Sequence, residues 1–248
     1  MKKFLLFTLL LIIQVIARAD ESIDSLIISL KKEQQEALNS ADLTKFNDIA
    51  NKLERLSTFG EKEWLINYYL AYNYYRMTSI TQDKEESNKF ISEAKKYIQK
   101  SVELKDDFAE GRALYSSILG FEINLKPQLA MTNGIKSMQE IEKANKLDDN
   151  NPRVCLIDGM MTLNKPPMFG GGADNAITKL KKAIELFQNE PEDMGIYPDW
   201  GMDEAYIWLG MSYEQKDEKS KALEYYKKAI EVNPDNGWAK ALIKNIEE

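Results

Sequence analysis

Few side chains in this 248-residue chain are suited to chemistry, and the ones it lacks narrow the possibilities. Histidine is absent, so no imidazole base, Ser-His-Asp triad or His-ligated zinc site can be assembled. Cys155 is the single cysteine, which forbids an intrachain disulfide. Within VCLIDGMM it reads as a small packing residue of a buried helix rather than a reactive thiol. Carboxylates are plentiful, yet none forms a paired-acid motif that stands out from ordinary solvated charge. The expectation is a protein that is not an enzyme, with no catalytic residue, no metal and no cofactor.

Two other stretches could bind. Tyr68, Tyr72 and Tyr75 are spaced i, i+4 and i+7, with Arg76 beside the last. On a helix they share one stripe, and Tyr and Arg combine large contact area with polar tips, as at interaction hot spots. The plainer alternative is that YYLAYNYY simply packs a wide helix face. Lys165–Asp174, KPPMFGGGAD, has a glycine run that could cradle an anion. It lacks the Gly-Lys-Ser/Thr of a phosphate loop, no strand precedes it, and Asp174 stands where phosphate would sit. A rigid Pro-Pro turn seating Met168 and Phe169 against the core is the better expectation.

The elements that would position these residues are helices in a repeat. In Asp203–Asn236, Tyr206, Leu209, Gly210 and Tyr213, then Ala222, Tyr226, Ala229 and Pro234, recur at the spacing of a unit of about 34 residues. Gly210 and Ala222 are small enough to let two helices approach, Tyr213 and Tyr226 fill the space around them, and Pro234 ends the second helix. The stretch resembles a tetratricopeptide repeat (TPR). Carrying its phase backwards places units at Pro152, Ala109 and Trp64, with Gly159, Ser116 and Ala71 in the small slot, and the hand-off between units keeps register. The interval from small slot to second-helix alanine widens upstream (Gly159 to Ala176, Ser116 to Ser137, Ala71 to Ala94). Either the turns within each unit are enlarged or the helices are longer.

The expected architecture is all-α, a right-handed TPR solenoid of about five antiparallel helix pairs plus a C-terminal capping helix. The expected divisions are a degenerate pair over 20–63, units over 64–108, 109–151, 152–202 and 203–236, and a cap over 237–248. The resemblance implies a concave face, lined mainly by the first helix of each unit, that holds a protein or peptide. Carried over by position, that candidate face comprises Tyr68, Tyr72, Tyr75, Arg76, Arg153, Met160, Ile207, Met211 and Glu214. The Pro…Phe-Gly-Gly turn also resembles TPR components of TRAP-type transporters, which keeps a small solute as the alternative ligand. Asn189–Met202, with Pro191 and Pro198, cannot continue a helix. Tyr197 and Trp200 should fold it back on the solenoid, lid-like over one end of the concave groove.

Met1–Ala19 has a short basic start, an apolar run over Phe4–Ile16 and an Ala-Arg-Ala end, the pattern of a removable signal peptide. Export, periplasmic or secreted, is therefore expected after cleavage near Ala19, with no stable membrane insertion. The net charge of −7, without basic runs, argues against nucleic acid and anionic membrane surfaces.

Overall fold

The computed structural model describes residues 23–57 and 60–248, so the signal-peptide expectation lies outside the described residues. Apolar residues at helical spacing, punctuated by short polar side chains, give eleven α-helices among the described residues and no strand. These are α1 (23–39), α2 (Leu43–Leu56), α3 (Glu63–Ile80), α4 (Lys84–Leu104), α5 (Ala109–Leu125), α6 (Ala130–Leu147), α7 (Pro152–Asn164), α8 (Ala173–Gln188), α9 (Met202–Glu214), α10 (Lys219–Val232) and α11 (Gly237–Glu247). Their starts are set locally. Asp42, Asp83 and Asn151 each accept two backbone N–H bonds at the first turns of α2, α4 and α7, and Asn236 accepts one at α11. Each such cap typically stabilises its helix by about 1 kcal/mol.

Consecutive helices pack as antiparallel pairs, and the small slots explain how closely. A Cβ on Gly210 would lie 2.4 Å from the Tyr226 ring and 3.1 Å from the Ala222 carbonyl, so α9 and α10 can touch only over glycine. Ser116 does the same job with a hydroxyl, donating 2.8 Å to the Ser137 carbonyl across α5 and α6. The widened intervals have two origins. α3 and α4, of 18 and 21 residues, are joined by residues 81–83 alone, so there the helices are longer. Between α7 and α8, residues 165–172 form a genuinely enlarged turn.

That turn departs from expectation. Met168 and Phe169 do not seat against the core; they are 83 % and 61 % exposed. The Gly172 N–H returns to the Thr162 carbonyl at 2.9 Å and the Gly171 N–H to Pro166. This closes the base of the turn and directs its tip outward.

The core runs as one cluster through α1–α5, a small one across α5–α7 and a third through α7–α11; Trp200 packs against all three. The superhelix also closes on itself. Asn39, at the end of α1, exchanges side-chain hydrogen bonds with Asn233, after α10, and Asn233 and Asn236 both donate to Asp203.

Candidate functional site

α3 explains the Tyr-rich stretch. Twelve of its 18 residues are buried, because α2 and α4 cover two sides and residues 195–200 cover a third. This last contact fills the face where the candidate residues meet. The Trp200 indole stacks on the Tyr72 ring, centroids 5.0 Å apart, and its Nε1 donates 3.0 Å to the Tyr68 hydroxyl. The Arg76 guanidinium lies 5.2 Å from the Trp200 ring and 4.7 Å from that of Tyr72. Cation–π contacts of this kind contribute about 0.5–2 kcal/mol, more when water is excluded.

Upstream of Trp200 the segment turns over residues 194–197, where the Tyr197 N–H donates to the Met194 carbonyl, and it is held by its main chain. Lys31 Nζ donates to the carbonyls of Gly195 (2.7 Å) and Tyr197 (2.6 Å) and pairs with Asp199 at 2.9 Å. The Tyr69 hydroxyl donates 2.6 Å to the Ile196 carbonyl. Gly201, which ends the segment at φ 117°, has no room for a side chain beside Phe187 and Leu156.

The charges below this seat are paired. Arg76 forms a buried ion pair with Glu204 of α9. Burial pulls the Arg76 pKa down, but the Glu204 charge outweighs it and holds the guanidinium protonated. Burial raises the Glu204 carboxyl above the usual carboxylate range, with Arg76 opposing. Fully buried Arg153 is bidentate to Glu190 at 2.7 and 3.0 Å and reaches Glu110 at 3.3 Å. Burial raises the Glu110 carboxyl, again opposed by its arginine. The Tyr68 and Tyr72 hydroxyls are raised by burial and stay protonated.

Of the residues expected on the concave face, Tyr68, Tyr72 and Arg76 converge on Trp200. Tyr75 is half-buried beside them, its hydroxyl 2.8 Å from that of Ser117. Arg153 sits among its acids, and half-buried Met160 packs between two core clusters. Ile207 is wholly buried in the third cluster. Met211 is half-buried against that cluster, and exposed Glu214 accepts from Tyr226 at 2.7 Å; none of these last three reaches the Trp200 seat by a described hydrogen bond or ring contact. Sequence reasoning did not select Lys31, Tyr69 or Glu204. Glu204 carried a signal, since it holds the same repeat position as Arg153 with opposite charge. Lys31 lies outside the repeat phase and carried none.

A depression of about 510 Å³ is lined by Glu142, Asn145, Lys146, Asp158, Lys179 and Cys155 among others. Its charges are matched, with Lys179 at 2.7 Å and Asn145 at 3.1 Å from Asp158. Burial raises the Cys155 thiol to about 11, which keeps it from being a thiolate nucleophile.

Residues 203–236 match the tetratricopeptide repeat family model. Among solved structures, the chain is similar to the HusA haemophore from Porphyromonas gingivalis (23% identity, TM-score 0.64, over 75% of this chain and 92% of that one). It is also similar to TTC0263, a thermophilic TPR protein in Thermus thermophilus (15% identity, TM-score 0.59, over 88% of this chain and 98% of that one). The fold is a tetratricopeptide-repeat solenoid. No curated protein sequence matches the chain. Within the matched repeat, α9 and α10 are the first and second helices, and the Trp200 segment lies against α3.

Proposed function

We propose that this chain is a non-catalytic, exported interaction module that holds a protein or peptide partner along its concave face. One observation carries the reading: α1 and α3 already hold a turn of the chain by three consecutive carbonyls, through Lys31 and Tyr69. Donors arranged this way recognise peptide backbone whatever its side chains. The half-buried and exposed candidates Tyr75, Met211 and Glu214 are the places where a partner would extend beyond the filled seat. The test is photo-cross-linking in the native host, with a benzoylphenylalanine at position 214 or 211 and a control at Lys96 on an outer helix. Partner adducts confined to the inner positions sustain the reading, and adducts only at Lys96 remove it. Export is tested on the same cells, since a mature chain should begin at Asp20.

A second reading is a carrier of a small apolar solute, either free-standing or serving a transporter. It is favoured by exposed Met131, Ile135 and Met138, i, i+4 and i+7 along α6, and by Met168 and Phe169. It is also favoured by the likeness to a haemophore. With no histidine in the chain, a haem would be held by apolar contact and by Met or Tyr. Titrations with haem and with metal-free protoporphyrin test this. Saturable Soret shifts at one per chain, weakened by Met168→Glu or Ile135→Glu, sustain the carrier; unshifted spectra dismiss it.

A further inference from the structure

We propose that residues 195–200 are an internal stand-in for the partner, and that the groove takes a peptide presenting an aromatic side chain to the Trp200 seat. This rests on the concave-face reading above and specifies what would bind there.

Three observations carry it. First, the segment is bound as a ligand would be. Among the described backbone hydrogen bonds its own N–H groups make only local turns, such as Tyr197 N–H to the Met194 carbonyl. Its attachment to the solenoid is by side chains from α1 and α3 onto its carbonyls, the Lys31–Asp199 ion pair, Ile196 against the first core cluster and one ring in an aromatic seat. Secondly, the chain leading into it is exposed and its outer edge is open. Gly195 (φ 55°) and Gly201 (φ 117°) take the left-handed region at its two ends, and residues 191–193 ahead of it are exposed. Its outer edge is open to solvent, with Tyr197 half-exposed and the Asp199 side chain 56 % exposed.

Thirdly, the seat holds a donor that the resident segment does not use. Arg76 Nε is buried and has no hydrogen-bond partner, although the same guanidinium faces Trp200. A buried donor left unsatisfied costs about 1–3 kcal/mol. An incoming peptide with an acceptor beside its aromatic ring, a carboxylate above all, would satisfy it and so bind better than the resident. Being tethered, the resident competes at an effective concentration on the order of millimolar. Apparent affinity in the intact protein is then reduced by the fraction of chains whose groove is open.

The test uses a fluorescein-labelled synthetic peptide, Gly-Ile-Tyr-Pro-Asp-Trp, and anisotropy titrations on the full chain. Asp199→Ala removes one anchor of the resident while sparing Lys31, and Trp200→Ala empties the seat. Each should tighten peptide binding by about tenfold or more over the unaltered protein, and adding Lys31→Ala should abolish the gain. Because Trp200→Ala risks unfolding, Asp199→Ala, at a largely exposed side chain, keeps the proposal falsifiable by itself. Equal affinity for the unaltered protein and Asp199→Ala overturns the stand-in while leaving a peptide-competent groove. Absence of peptide binding to a folded Asp199→Ala protein, alongside partner cross-links at position 214, overturns it and spares the concave-face reading. Cross-links confined to the outer helices overturn both.

Discussion

Trp200 donates its indole N–H to the Tyr68 hydroxyl at 3.0 Å, across 132 positions of sequence. That bond ties a loop with no repeat character to the first consensus-like helix of the solenoid, at the place where three core clusters meet. The contact predicts a graded response. Trp200→Ala should cost about 3–5 kcal/mol, and Trp200→Phe, which keeps the stacking on Tyr72 but not the hydrogen bond, about 1–2 kcal/mol. Urea denaturation decides it, and two variants as stable as the parent would show that the seat is not part of the core.

The Arg76–Glu204 pair should behave as a buried ion pair whose partners depend on each other. Arg76→Met or Glu204→Leu alone should each destabilise by about 3–5 kcal/mol, because each strands a buried group. Arg76→Met with Glu204→Leu should cost less than the two together. A double-mutant cycle measures the coupling, and strict additivity would contradict the geometry.

Acid titration should separate two kinds of glutamate. Burial alone would raise the Glu140 carboxyl, but hydrogen bonds from Lys136 and Arg112 outweigh it and hold it below the usual range. Its contribution is therefore full above the unfolded value of about 4.3 and is lost as pH falls through the lower folded value. Glu140→Gln should cost about 1–3 kcal/mol at neutral pH and progressively less in acid. Burial raises Glu110, so its sign is reversed. Its contribution is full below about 4.3 and is lost as pH rises through the folded value, so the stability of the parent relative to Glu110→Gln should fall over that range. Denaturant midpoints at pH 3 to 7 for the three proteins are the measurement.

Gly210→Ala places a methyl 2.4 Å from the Tyr226 ring and 3.1 Å from the Ala222 carbonyl. The ring must move, and the backbone carbonyl is less able to. We expect a loss of about 1–3 kcal/mol. Gly134→Ala, in a helix with open space around the new Cβ, should stabilise by about 0.4–1 kcal/mol. Thermal melts of the two variants should shift in opposite directions.

The solenoid was legible in the sequence because a TPR unit is defined by contacts within about 34 residues. Gly210 against Tyr226, Ser116 against Ser137 and the caps at Asp42, Asp83 and Asn151 each join neighbours, so spacing alone specifies them. The Tyr68, Tyr72 and Arg76 stripe was legible for the same reason. What it faces was not. The placements of Trp200, Lys31 and Glu204 depend on how far the superhelix has turned when the chain comes back to its beginning. That angle is the sum of many small packing offsets between successive helices, none of them marked by a residue type. Asn39 meets Asn233, and Arg76 meets Glu204, only once that curvature is set. Sequence determined the helices and their phase; tertiary structure decided that residues 195–200 lie against α3, with Trp200 on Tyr68, Tyr72 and Arg76.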